Sequence, residues 1–88
     1  MLTEPGTPIS DNADLNDYFN PGIYGVSNNT VAITLKNYPS GLSVGCKMIV
    51  SQHPSSWKHQ IIFPNNSADI YIRCSATDAW YKITAQQL

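Results

Sequence analysis

Six short strand-like segments, separated by turn-forming residues, constrain the fold of this chain more than any other feature. Hydrophobic and polar residues alternate within several of these segments, as in strands that are buried on one face. Parallel strands would need connections of about a dozen residues or more, and the sequence has none of that length. The pattern predicts a mainly β fold, a small antiparallel β-meander of about six short strands preceded by a short helical turn. The predicted strands are residues 22–27, 30–36, 42–51, 57–63, 68–75 and 78–85.

The alternation also predicts which side chains share a face of each strand. A tight hairpin at Asn28–Asn29 is expected to join the first two strands, because asparagine tolerates the left-handed backbone conformation. The residues predicted to be in phase are Val31, Ile33 and Leu35; Val44, Cys46, Met48 and Val50; Trp57, His59, Ile61 and Phe63; and, facing inward, Ile70, Ile72 and Cys74.

A charged turn and a Pro-Gly corner come before the first predicted strand. The segment ADLNDYFNPGIYGV, residues 13–26, has room for about two helical turns before Pro21, so a helical turn is predicted over 13–18. Residues 20–23 are predicted to form a type II turn. In that turn Pro21 fixes the first central torsion and Gly22 accepts the positive φ of the second.

Size and charge limit the classes of partner. The chain has 88 residues, 12% of them charged, and a net charge of −1. Its five basic residues are scattered, so a nucleic-acid surface, which needs clustered lysine and arginine, is not expected. There is no secretory signal at the start and no apolar run of about 20 residues that could enter a membrane. Residues 1–12, which are rich in proline, are interpreted as an extended connector, and residues 13–88 as one domain.

The residues that could carry chemistry form no recognisable catalytic set. Cys46 and Cys74 are interpreted as core thiols, or as a disulfide if their strands are neighbours. Neither belongs to a Cys-x-x-Cys pair, and the histidines are not grouped with them, so no metal or other cofactor is expected. His53 is expected to be exposed in a turn and His59 to be partly buried. With no nucleophile, base and acid in a plausible arrangement, the chain is predicted not to be an enzyme.

Aromatic residues in the last two strands cannot all face the core. Adjacent residues of a strand point to opposite faces, so Tyr71 and one of Trp80 and Tyr81 must leave the core face. Outward aromatic residues pack against another subunit or against the termini, or they stack on the apolar face of a sugar. A subunit contact is favoured, because a domain of this size buries a small core.

The ordered set of motifs resembles the knob domains of phage tail fibres and of contractile-tail bacteriocins, the pyocin-knob type. The set comprises ADLNDY and PGIYGV, a turn at NYPSG, the strands LSVGCKMIV and KHQIIF, then DIYIRC and a final AWYKI. It covers residues 13–83 in the expected order. The sequence departs from the family where a second tryptophan would follow Trp80, since Tyr81 and Lys82 come next, and where NNSA replaces a glycine-rich stretch.

The resemblance implies a parallel homotrimer near the distal end of a virion tail fibre. Such a fibre is made in the bacterial cytoplasm and attaches to a bacterial surface, usually to a polysaccharide. A purely structural spacer of a fibre and a monomeric carbohydrate-binding module remain alternatives. For sugar contact the candidate ligand-binding residues are Trp57, His59, Tyr71 and Tyr81.

A structural role is expected for the motif residues Asp14, Asn16, Pro21, Gly22, Arg73 and Trp80. Asp14 or Asn16 is expected to cap backbone amides at a bend that redirects the chain from the fibre axis into the sheet. Arg73 is expected to pair with a carboxylate such as Asp14 or Asp69, or to be solvated.

Overall fold

The structure is a computed structural model that describes residues 6–52, 58–74 and 79–88. Its strands form one six-stranded sheet in which neighbours in space are neighbours in sequence. The first strand pairs with the second in parallel, and the four other pairings are antiparallel. The expectation that no connection is long enough for a parallel pair is wrong, because residues 9–21 join these first two strands. The predicted fold class is confirmed. The elements are β1 (Thr7–Pro8), a 3-10 helix (Leu15–Asp17), β2 (Gly22–Val26), α1 (Asn29–Ala32), β3 (Cys46–Gln52), β4 (Lys58–Pro64), β5 (Ile70–Arg73) and β6 (Tyr81–Ile83).

The strand predicted over residues 30–36 is wrong, because this part of the chain forms α1 and a turn. The Asn28 side chain accepts a hydrogen bond from the Thr30 amide at 2.7 Å and so caps the helix, where a hairpin was predicted. Val31 and Leu35 lie four residues apart, a spacing that places both on one side of a strand or of a helix. Ile33 distinguishes the two structures, since it is 68% exposed. Among the described residues no helix is long and apolar enough to cross a membrane.

β1, which brings the sheet to six strands, lies in the segment that is interpreted as a connector. Thr7 and Pro8 pair with Tyr24 and Gly25 of β2 at the edge of the sheet, a position that proline tolerates. Ile9 follows, donates its amide to the Gly25 carbonyl at 2.9 Å and is 5% exposed. The segment therefore contributes a strand and a core residue.

The two faces of the sheet differ in what covers them. The pairing register places Met48 beside Ile62, and Ile62 beside Tyr71, on the face that we call the inner face. The 3-10 helix and α1 each contribute a buried residue, Leu15 and Ala32, to the core on this face. The buried core residues are Ile9, Leu15, Val26, Ala32, Cys46, Met48, Val50 and Ile62.

The predicted inward phase is confirmed in β3 and wrong in β4 and β5. Gln60 and Ile62 of β4 are buried, whereas His59, Ile61 and Phe63 are half-buried and point to the opposite side, the outer face. In β5 it is Tyr71 and Arg73 that face inward, and Ile70 and Ile72 that face outward. Both faces of these strands carry large apolar residues, so hydrophobicity alone does not show which face is inside. A shift of one residue in the predicted phase exchanges the inner and outer residues. Trp57 lies outside the described residues.

The corner before β2 does not have the predicted type II geometry. Gly22 has a φ of 158°, close to fully extended, and already begins β2, whereas the second central residue of a type II turn needs a φ of about 80°. The Tyr24 hydroxyl donates to the Asn20 carbonyl at 2.7 Å across the corner. The bend is therefore closed by a side chain four residues along the chain.

Candidate binding cleft

The 3-10 helix is capped at its N-terminal end by Asp14 of the motif ADLNDY. Asp14 is its N-cap, and one carboxylate oxygen, Oδ1, accepts the Asn16 amide at 2.9 Å and the Asn37 side-chain amide at 2.7 Å. These two hydrogen bonds, the Asn37 bond first, lower the pKa of Asp14 from its ordinary value of 3.8. The Asn16 side chain makes no cap in this arrangement, since it is the Asn16 backbone that Asp14 binds.

A buried glutamine joins this helix to the sheet. Gln60, which is fully buried, donates its side-chain amide to the carbonyls of Leu15 and Tyr18, both at 2.7 Å. Its carbonyl oxygen accepts Nε of Arg73, also at 2.7 Å, from the paired position on β5. One buried side chain therefore binds two carbonyls at the helix and Nε of Arg73, as a buried polar group requires.

Arg73 is 2% exposed, so the expectation of a solvated arginine is wrong. Its guanidinium carbon lies 4.7 Å from the Trp80 ring centroid and 5.5 Å from that of Phe19. Aromatic faces at these distances attract a cation and exclude water from it. The Gln60 partner was not predicted, although a glutamine between apolar residues, in register with an arginine, is a signal that could have indicated it.

Trp80 connects this cluster to the loop that follows α1. Its indole Nε1 donates to the Asn37 carbonyl at 2.8 Å. Asn37 has a φ of 59°, a left-handed conformation that asparagine adopts more readily than most residues. Asn37 therefore accepts a hydrogen bond from Trp80 with its carbonyl and donates one to Asp14 with its side chain. These two bonds link the start of β6 to the bend before β2.

An open cleft of about 720 Å³ lies beside this cluster. Tyr71 and Trp80 give it aromatic walls, and Asn37, Ser40 and Lys82 give it polar groups. Lys82 lies 5.8 Å from the Tyr71 ring centroid and 3.5 Å from the Asp69 carboxylate. The other lining residues are Tyr38, Pro39, Gly41, Arg73 and Ala79. Concave sites with apolar walls and a few polar groups are typical of small-ligand binding.

Asp69 holds the C-terminal segment close to the cleft. Its carboxylate accepts the Ala85 amide at 2.8 Å, and this bond is the main reason that its pKa lies below the ordinary value. Lys82 adds a further attraction. The ion pair between Asp69 and Lys82 holds the lysine at the rim of the cleft.

The candidate ligand-binding residues are not brought together. Tyr71 lies on the inner face and lines the cleft. His59 is half-buried on the outer face, and Tyr81, which is 64% exposed, is also on the outer face. Trp57 is outside the described residues. Trp80 and Ser40, which were not among the candidates, join Tyr71 in the cleft.

The cysteines form neither a disulfide nor part of a metal site in the described residues. Both are free; Cys46 is buried in the core, and Cys74 is exposed just after β5. Since β4 separates β3 from β5, their strands are not neighbours, which the disulfide alternative required. Burial raises the pKa of the Cys46 thiol. No group of three histidine, cysteine or acidic side chains suited to a metal occurs in the described part of the chain.

Comparison with known proteins gives similarity in structure. No protein-family model matches the chain, and no curated protein matches it either. A fragment of the P. aeruginosa R1 pyocin fibre, comprising C-terminal residues 323–701, superposes with a TM-score of 0.82 over 96% of this chain at 20% identity. An N-truncated R2-type pyocin tail fibre superposes with a TM-score of 0.77 over 98% of this chain at 17% identity.

This chain spans 22% of the first fibre fragment and 34% of the second. It corresponds to one portion of each. The predicted resemblance to tail-fibre domains is confirmed at the level of the fold: the chain has the fold of a domain found in pyocin tail fibres.

Proposed function

We propose that the chain is a non-enzymatic tail-fibre module that assembles as a homotrimer and takes part in attachment to a bacterial surface polysaccharide. The observation that carries the proposal is the similarity of almost the whole chain to portions of two pyocin tail fibres. The fibre of a virion or a pyocin is the part of the particle in which such a module would act, at the surface of the target cell.

The cleft supports polysaccharide as the ligand. The faces of Tyr71 and Trp80 can stack on the apolar face of a sugar ring, and Asn37, Ser40 and Lys82 can bond to its hydroxyl groups. Because the cleft is open to solvent, it suits a chain of sugars better than a single small molecule that would have to be enclosed.

The same lining supports binding without catalysis. None of the described residues that line the cleft is a carboxylate, a histidine or a cysteine. Hydrolysis of a glycosidic bond ordinarily needs two carboxyl groups on either side of the bond. The described lining residues include groups that can hold a sugar and no pair of carboxyl groups that could cleave it.

The test is to fill the cleft without disturbing the core. Ser40 is an exposed loop residue on the lining, so Ser40→Trp should obstruct the cleft, whereas Ser43→Trp places the same side chain on an exposed loop position away from the lining. Binding of the labelled chain to a panel of purified bacterial surface polysaccharides is measured by titration. We expect Ser40→Trp to lose about 10-fold or more in affinity and Ser43→Trp to match the wild type. Equal affinities for the two variants would contradict the cleft as the site.

A structural spacer is the second candidate function. The chain corresponds to 22% and 34% of the fibre fragments, so other portions of such fibres could hold the receptor site. A fibre protein that contains this domain would then bind polysaccharide while the isolated domain does not. That result would exclude attachment by this domain and favour the spacer.

A further inference from the structure

The outer face of the sheet carries a continuous row of apolar side chains. Register pairs Ile23 with Ile49, Ile49 with Ile61, Ile61 with Ile72 and Ile72 with Tyr81, so one residue of each strand from β2 to β6 lies in a line. At about 4.8 Å between strands the row is about 19 Å wide. We call these five residues the outer row. Ile83, paired with Ile70, extends the apolar surface at the β6 edge.

None of these side chains belongs to the core of the domain. Ile23 and Ile49 are each 37% exposed, Ile83 is 55% exposed and Tyr81 is 64% exposed. Single exposed isoleucines are ordinary, but residues aligned in register across five strands form one continuous surface. The four most exposed side chains together leave about 400 Å² open, as large as the largest apolar patch of a typical monomer.

The chemistry of this surface suits a second copy of the chain better than a sugar. Its row offers aliphatic carbon and one tyrosine hydroxyl, whereas a saccharide needs many hydrogen-bond partners. Among the described residues, Lys47, His59 and the exposed Cys74 are the titratable groups of the outer face outside the row, and none is a carboxylate. The outer rows of several copies can therefore approach a common axis without bringing like charges together.

The area also agrees with an interface of ordinary size. A stable interface buries about 800 Å² on each partner, with an apolar centre and a polar rim. An apolar centre of about 400 Å² leaves a rim of similar area, for which Lys47, Ser51 and His59 are available around the row.

We propose that the outer row is the surface through which copies of this chain associate with one another. This inference deepens the homotrimer of the proposed function and rests on it. Because the outer row and the cleft lie on opposite faces of the sheet, assembly and polysaccharide binding can be lost separately.

The test compares two isoleucine variants of the full chain. Ile49→Asp puts a charge within the outer row, on β3, and Ile33→Asp makes the same change at a 68% exposed position beside α1. Sedimentation equilibrium is measured from about 1 μM to 1 mM chain. We expect the wild type and Ile33→Asp to sediment as the same oligomer, and association of Ile49→Asp to be about 100-fold weaker, since a charge buried without a partner is costly.

Circular dichroism and thermal unfolding check that each variant is folded, and Tyr81→Glu, at the most exposed end of the row, is the second variant in case Ile49→Asp unfolds. A folded, dissociated variant that still binds polysaccharide would support the outer row and the cleft as separate surfaces. A wild-type chain that is monomeric over the whole range, or equal association of Ile49→Asp, Tyr81→Glu and Ile33→Asp, would overturn the inference. Monomeric behaviour would mean that another segment or protein covers the row.

Discussion

The inner and outer faces of the sheet use the same strands for different purposes. On the inner face, Gln60 and Arg73 are polar yet buried, and each is bonded to groups that hold the bend before β2. On the outer face, Ile49 and Tyr81 are apolar yet exposed. At these positions the buried residues are polar and the exposed residues are apolar, the reverse of the usual arrangement.

This reversal indicates where each face obtains its stability. Buried polar groups are tolerable only when every hydrogen bond is made, and Gln60 makes three. Exposed apolar groups lower the free energy when another surface covers them. The inner face is completed within the chain, and the outer face is completed by association in the scheme proposed above.

The largest expected effect comes from breaking the polar network of the inner face. Gln60→Leu keeps the side-chain size but leaves Nε of Arg73 and the carbonyls of Leu15 and Tyr18 without this partner. We expect the free energy of unfolding to fall by about 3–5 kcal/mol, because these groups are buried. Urea unfolding followed by tryptophan fluorescence measures the change.

Gln86→Leu is the matched control, since the same change at an exposed position should alter the free energy of unfolding by less than about 0.5 kcal/mol. If Gln60→Leu were as stable as this control, the network would not be what joins the 3-10 helix to the sheet.

Adjacent residues of β3 give a direct comparison of the two faces. Met48 is fully buried on the inner face, and Ile49 is on the outer face. In dilute solution, where the chain is dissociated, Met48→Ala should lower the free energy of unfolding by about 2–5 kcal/mol and Ile49→Ala by about 1 kcal/mol. Chemical denaturation at several chain concentrations measures both. Equal costs at the lowest concentration would show that the outer face is packed within the single chain.

The smallest expected effect is a loss of stability at acidic pH. The pKa of Asp14 is lowered in the folded chain from its ordinary value of 3.8, so its contribution to stability is present above about pH 4 and is lost as the pH falls through the folded value. Asp14→Asn should flatten the fall in Tm below pH 4 by a few degrees. Asp17→Asn, which removes the same charge at an exposed position of the same helix, is the control. Identical pH profiles for the two variants would contradict the role of Asp14 at the bend.

The sequence predicted the fold class well, because the short connections after β3 favour antiparallel neighbours whatever the face of each strand. It did not predict the parallel pairing of β1 with β2. It predicted the phase of β3, where Lys47 and Ser51 mark the polar side clearly. It failed in β4 and β5, since isoleucines of the outer row and isoleucines of the core look alike in a single sequence. It also failed at Val31 and Leu35, whose spacing fits both a helix and a strand.

The cleft could not be predicted, because Ser40 lies in a loop that is far in sequence from Tyr71 on β5 and from Trp80 just before β6. The resemblance named Trp80 and Arg73 as structural residues, and the structure places them together. The resemblance did not identify Gln60, which connects Arg73 to the bend before β2. A buried glutamine becomes evident once the register of β4 against β5 is known.

The order of the strands has a mechanical consequence. Because β1 to β6 follow one another across the sheet, β1 and β6 lie at opposite edges, about 24 Å apart at five strand spacings. A pull that separates those edges acts along the hydrogen bonds and reaches each ladder in turn, so the short ladder between β1 and β2 would yield while β3 and β4 stayed joined. Under tension, such a domain would lengthen in steps from its edge and keep its centre.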